Sequence, residues 1–280
     1  MWRYLPDLPR QALRRLGARR PSWPRRGCGT PHSRCDQAAS GRLDSRYGSQ
    51  HSVSPASAPT GAPSAPSLAV RLVAEGLGTA LLIVSVVGSG IMATNLTDDV
   101  ALQLLANAGA TVGALIALIM MFGPISGAQF NPVVTIADCV LNRRTFSDVL
   151  PYFVVQTIGG TFGALVANLM FDLEPLGPST KIRDGGGIWL GEVVATFGLL
   201  LVIFLIGKHR AESVPLAVGV WIGGAYWFTS STSLANPAVT IARAFSDSFA
   251  GIAPESVPMF IVMQLVGLAL ALPILRLLRR

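Results

Sequence analysis

Charge is scarce in this 280-residue chain: Asp, Glu, Lys and Arg make up 13% of it against 51% hydrophobic residues, which takes it out of the soluble globular class. The charge that exists is gathered at one end. Residues 1–67 carry eleven Arg and three acids, whereas the other 213 residues carry eleven bases and twelve acids. The high pI therefore belongs to a tail, and the rest of the chain offers no basic groove for nucleic acid. Three Cys are too few for a disulfide framework, and the spacing of Cys28 and Cys35 matches no metal motif. Cys139 reads as a small buried apolar residue. Histidine is as rare: His32, His51 and His209 all fall outside the apolar segments, which leaves the membrane interior without imidazole for metal binding or proton transfer. The chain also has no nucleophile–base pair, no phosphate-binding Gly loop and no converging carboxylates. The expectation is no enzyme, no metal and no cofactor.

Long apolar runs are what the chain does have. Six are long enough for a hydrocarbon core that needs about 20 residues, at roughly 70–93, 100–122, 150–172, 188–207, 214–232 and 255–276. Only Glu75 and Glu192 interrupt them with acid. Gly159/Gly163 and Gly219/Gly223 recur at four-residue spacing, a pattern for close helix–helix packing. Residues 1–67, rich in Arg, Ser, Pro, Ala and Gly without apolar period, are read as a disordered basic tail. That composition is shared by organellar transit peptides and by a start called too far upstream in a GC-rich gene, so the tail is set outside the fold.

Two short segments repeat almost residue for residue, NPVVTIA at 131–137 and NPAVTIA at 236–242. Asn followed by Pro is a helix start: Pro fits the first turn and Asn caps the free N–H groups. The repeat extends outward. Glu75 stands four residues before Thr79 and Glu192 four before Thr196, while Ser126 and Ser231 each stand five before their Asn. Three spans per half is an odd number, so the halves are inverted about an axis in the membrane plane. Each Asn-Pro run covers only about a dozen residues, or roughly 18 Å of helix, and is expected to be a re-entrant half-helix. Non-helical backbone at that depth survives only against protein or a water-filled path, so SGAQF and STSLA should line one, with Asn131 and Asn236 meeting at its centre. There the Asn amides could donate to a passing oxygen while the positive ends of two half-helices oppose cations.

Residues 68–276 resemble the aquaporin and aquaglyceroporin (major intrinsic protein) family, through AEGLGTALL at 74–82, GPISGAQFNPVVT at 123–135, NPA at 236–238 and the six-plus-two segment count. The resemblance implies an all-α membrane fold of six transmembrane helices plus two re-entrant half-helices, in inverted repeats of about 68–172 and 188–276, followed by a basic C-terminus at 277–280. It also implies a homotetramer in the lipid bilayer with one pore per subunit, passage of small neutral solutes, and Glu75 and Glu192 as buried acids that hold the re-entrant loops. Basic residues near the span ends, seven on one side (Arg143, Arg144, Lys208, Arg210, Arg276, Arg279, Arg280) against three on the other (Lys181, Arg183, Arg243), place both termini in the cytoplasm of a multi-pass cell-membrane protein.

Departures from the family pattern concern what passes. The first motif is Asn131, Pro132, Val133 and the second Asn236, Pro237, Ala238. Water-selective members resemble one another in placing Arg after the second motif, where this chain has Val239; glycerol facilitators have Arg then Asp, where Thr240 replaces the acid. Spacing back from the motifs puts Thr111, Gly224 and Ser233 at the other filter positions, giving a wide, neutral filter. Arg243, one turn beyond Val239, is a candidate for the outer vestibule and a partial substitute for the missing charge, with Asp247 or a loop carbonyl as its alternative partner. Asp138 holds the equivalent place in the first half, where capping or pairing with Arg143 or Arg144 is expected. NPAVTIARAFSD is similar to a bacterial branch of the family associated with arsenic resistance, and such a filter suits undissociated arsenious acid, with glycerol, urea and water as further candidates. The competing classes are an ion-coupled secondary transporter working through Glu75 and Glu192, a water-selective aquaporin, and a membrane-anchored module acting through its basic tail.

Overall fold

The computed structural model describes residues 66–142 and 145–279. The tail through residue 65, with Cys28, Cys35, His32 and His51, and the orientation markers Arg143, Arg144 and Arg280 lie outside the described residues. Among the described residues all regular structure is helical. Helices α1 (Leu68–Leu96), α2 (Val100–Ser126), half-helix α3 (Pro132–Asn142) and α4 (Val149–Met170) make the first repeat. The second comprises α5 (Gly186–Leu201), α6 (Val214–Phe228), half-helix α7 (Pro237–Arg243) and α8 (Val257–Leu278).

Local chemistry sets the boundaries. Ser67 caps α1 through Val70 N, and Asp99 caps α2 through Ala101 N and Leu102 N. Gly127, at φ 96°, closes α2 in the left-handed conformation that glycine adopts without strain. Among the described residues five helices are long and apolar enough to cross a membrane. The sixth, α6, is shorter than its apolar run of 214–232 suggests, with 15 residues. Polar side chains end it: Thr229 leaves the helical region, its hydroxyl bonds back to Ala225 O at 2.6 Å, and Ser230 bonds Gly187 O at 2.7 Å. Past its last α-helical residue, α5 runs through a π-turn, Val202–Ile206, to an exposed His209.

The glycine pairs work as close-packing sites. A Cβ at Gly159 would collide with Gly76 O, and one at Gly163 with Ala80 O, so α1 and α4 touch backbone to backbone. In the second half Gly219 and Gly223 face Ile116 and Val112 of α2.

Candidate functional site

Both half-helices begin at their Asn. The Asn131 side-chain oxygen accepts from Val133 N at 3.1 Å, and that of Asn236 accepts from Ala238 N at 3.0 Å and Val239 N at 3.2 Å. Their amide nitrogens cross the molecule: Asn131 Nδ2 donates to Ala235 O at 2.8 Å and Asn236 Nδ2 to Phe130 O at 2.7 Å. The two N-termini therefore meet, each side chain tied to the carbonyl that precedes the other motif. Pro132, Val133, Pro237 and Ala238 are buried in this junction. With seven residues, α7 is shorter than the dozen its sequence suggests, and its dipole is correspondingly weaker than that of the 11-residue α3.

The loops entering the half-helices hold non-glycine residues at positive φ in matching places: Ala128 and Phe130 before Asn131, Ser233 and Ala235 before Asn236. Each costs about 1 kcal/mol or more, and the buried acids hold them there. Glu75 accepts from Ser126 Oγ at 2.6 Å, Gln129 N at 2.9 Å, Phe130 N at 2.7 Å and Gln156 Nε2 at 2.8 Å. Glu192 accepts from Leu234 N at 2.9 Å, Ala235 N at 2.8 Å and Gln264 Nε2 at 2.7 Å. Ser126 and Ser231 complete the turns by accepting from Ala128 N and Ser233 N. These carboxylates are fully buried and absent from the lumen wall.

A central cavity of about 110 Å³ runs past both Asn residues. One side is apolar, built from stripes at four-residue spacing: Leu82 and Val86 of α1, Leu115 and Ile119 of α2, and Val218 and Ile222 of α6. The loop residues before the two motifs, 127–130 and 233–235, form another part of the wall. At the α7 end its wall is made by Thr111, Tyr226, Ser233, Val239 and Arg243, all buried. Tyr226 Oη and Thr111 Oγ1 are 3.2 Å apart, and the Ser233 hydroxyl has no hydrogen-bond partner.

Thr111, Ser233 and Val239 share this wall, whereas Gly224 is not part of it. It points toward Phe228, because lumen-facing positions of α6 fall at 218, 222 and 226, and residue 224 is half a turn off that stripe. Tyr226 lines the wall instead, and the four-residue spacing from Val218 through Ile222 was the signal for it. Arg243 lies in the wall, and of the partners considered it takes a loop carbonyl: its Nε donates to Ala250 O. Asp247 instead accepts from Thr180 N at 2.9 Å. At the other end Asp138 accepts from Gln129 Nε2 at 2.8 Å and Asn142 Nδ2 at 2.5 Å, beside a wider vestibule of about 640 Å³ that Lys208, Glu212 and Arg279 also line.

Three loop segments converge near Arg243. Arg183, buried, donates from Nε to Gly251 O at 2.9 Å and from one terminal nitrogen to Ser231 O and Thr232 Oγ1, both at 3.3 Å. Lys181 Nζ donates to Phe249 O at 2.7 Å; burial first, then the charges of Arg183 and Arg243, lower its pKa to about 8. Among the described residues no cluster of His, Cys, Asp and Glu is arranged to hold a metal.

Two inverted halves closed on a narrow lumen define a membrane channel for small solutes. The chain belongs to the major intrinsic protein family, whose sequence profile matches residues 64–233. It is 48% identical over 206 residues, 74% of this chain and 88% of the other, to aquaglyceroporin AqpS of Rhizobium meliloti (strain 1021). To the probable aquaporin AqpM of Archaeoglobus fulgidus it is 33% identical over 170 residues, 55% of this chain and 68% of the relative. The solved aquaglyceroporin of Plasmodium falciparum shares the fold, with a TM-score of 0.55 at 19% identity, covering 75% of this chain and 95% of that one.

Proposed function

We propose that this channel passes small uncharged solutes passively and that its filter favours metalloid hydroxides such as arsenious acid, with glycerol, urea and water as further permeants. The observation that carries the reading is Val239: an apolar side chain stands in the lumen wall directly after the second motif, flanked by the hydroxyls of Ser233, Thr111 and Tyr226. A solute that presents several hydroxyls on a compact body finds donors and acceptors on one side and a tolerant apolar surface on the other. The name of the Rhizobium relative, aquaglyceroporin, agrees with polyhydroxy solutes as a class. An ion-coupled cycle would need Glu75 or Glu192 to exchange protons or ions, yet their oxygens are occupied by loop N–H and amide donors, which supports passive flow.

The positive-inside bias puts the Asp138 end and both termini in the cytoplasm and the Arg243 end outside. Exposed apolar residues such as Val73, Leu150, Ile158 and Leu190 suit contact with lipid and with neighbouring subunits of a homotetramer in the cell membrane.

The test is stopped-flow flux in liposomes for wild type and Val239→Arg. Wild type is expected to take up arsenious acid, glycerol and urea, and the substitution to narrow the channel toward water. A wild type that conducts water alone refutes the filter assignment, and one that conducts only with an ion gradient returns the coupled transporter.

A further inference from the structure

Two guanidiniums are buried at the outer end of the lumen, and among the described residues neither has a carboxylate within ion-pair distance; the one ion pair there is Arg71–Asp148, at the opposite end. Arg243 is 2% exposed and Arg183 8%. Arg243 ends half-helix α7 and Arg183 lies in the loop before α5, yet they are held by consecutive carbonyls, Arg243 by Ala250 O and Arg183 by Gly251 O. These carbonyl bonds engage the Nε–H of each guanidinium and leave both charges standing. Each guanidinium is within electrostatic reach of Glu192 and Tyr226, but Glu192 is already engaged by two loop N–H groups and Gln264. Lys181 adds a third positive group, and Asp247, the nearby outer-loop acid, is bonded to Thr180. Burial and the neighbouring Arg243 lower the Arg183 pKa to about 9, which leaves it charged at neutral pH. Unneutralised buried cations side by side oppose folding, so a scaffold that retains them needs a reason in function.

We infer that Arg243 and Arg183 together form the cation barrier of this pore, Arg243 in the lumen wall and Arg183 directly behind the Ser231–Thr232 turn. The inference rests on the channel reading above. Val239 leaves no charge at the position after the second motif, and α7 is too short for a strong dipole of its own. The guanidinium pair restores a repulsive field one turn further out while the narrow section stays neutral. Cations then meet the barrier before the filter, and uncharged solutes do not feel it.

The test compares K⁺ flux under an applied potential with glycerol uptake in the same proteoliposomes, for wild type, Arg243→Gln, Arg183→Gln, the double variant and the corresponding Lys variants. Gln keeps a donor for the loop carbonyl and removes the charge. The ratio of K⁺ to glycerol flux is expected to rise about tenfold for each Gln variant, one decade being a modest change in barrier, further in the double variant, and to stay near wild type with Lys. A wild type that leaks K⁺, or a double variant that passes glycerol and remains tight to K⁺, overturns the inference. If Arg183→Gln unfolds on heating well below wild type, Arg243→Gln decides alone, and glycerol flux without a K⁺ leak there sinks the pair. A wild type that takes up neither glycerol nor arsenious acid refutes the channel assignment instead, a separate result.

Discussion

The two halves of this molecule share a frame and differ at their mouths. Glu75 and Glu192, Ser126 and Ser231, Gln156 and Gln264, and the paired positive-φ residues repeat their roles, but the serines differ in one bond: Ser126 Oγ donates to Glu75, whereas Ser231 Oγ pairs with Thr229 Oγ1. Seven residues past each Asn the correspondence breaks: the first half-helix carries Asp138 and the second Arg243. Outside the half-helices, Arg71 bridges Asp148 at 2.8 Å and approaches the Tyr152 hydroxyl at 3.5 Å in the first repeat. The matching places in the second hold Ile188, Ser256 and Phe260. The difference teaches that the re-entrant turns allow little variation, because buried backbone N–H groups must find acceptors, whereas the mouths vary freely and set the electrical character of each end.

Breaking the frame should produce the largest effects. Glu75→Gln turns an NH₂ group toward loop N–H donors and should destabilise the protein by about 3 kcal/mol or more, given roughly 1.5–3 kcal/mol per charge-assisted bond. Glu192→Gln should act in the same direction and somewhat less, with three bonds against four. Thermal unfolding in detergent measures both, and a wild-type Tm for either variant would contradict the shared frame.

Helix packing gives a graded version of the same contrast. Gly159→Ala drives a methyl into Gly76 O, whereas at the corresponding Gly267 the added carbon would stand 2.9 Å from Val193 O, a milder clash. Overpacking of this kind costs about 1–3 kcal/mol, with Gly159→Ala at the upper end, Gly267→Ala lower, and Gly113→Ala near zero because nothing lies within 4 Å of its added carbon. Equal Tm losses at Gly159 and Gly113 would show that α1 and α4 do not rely on this contact.

Tyr226→Phe touches the filter and spares the frame, since Thr111 keeps its bond to Asn107 O at 2.9 Å. Losing one hydroxyl of about 0.5–1.5 kcal/mol should lower arsenious acid and glycerol permeability relative to water by about two- to tenfold. An unchanged ratio would take Tyr226 out of the filter.

The smallest effect concerns Lys181. Its folded pKa, near 8, lies below its ordinary value of 10.5, so the unfolded chain binds the extra proton between those values and stability rises with pH across that window. The penalty is fully present below about pH 8. Wild type should therefore gain slightly in Tm above pH 8 relative to Lys181→Met, and parallel pH profiles would contradict this placement of Lys181.

How much of this was legible in the sequence follows from the physics of each part. The half-helix starts, the two acids and the glycine contacts can be read because each depends on a local rule or on an internal repeat. Gly224 is absent from the cavity wall because counting back from Asn236 ignores which face α6 turns to the lumen; the period of Val218 and Ile222 leads to Tyr226 instead. Which loop carbonyls Arg243 and Arg183 would take was hidden for another reason. Ala250 and Gly251 are backbone acceptors on an irregular loop, and no side-chain pattern announces a carbonyl.

The crossed asparagine bonds have a consequence for how the chain is made. Asn131 donates to a carbonyl 104 residues later, and Phe130 O waits for Asn236. When the first half leaves the ribosome its re-entrant turn has Glu75 to hold it but lacks its partner across the membrane midplane. Neither half made alone completes the junction, whereas two separately synthesised halves carry everything needed to complement each other. The open lumen thus arrives late in biosynthesis and all at once, when the second turn docks on the first.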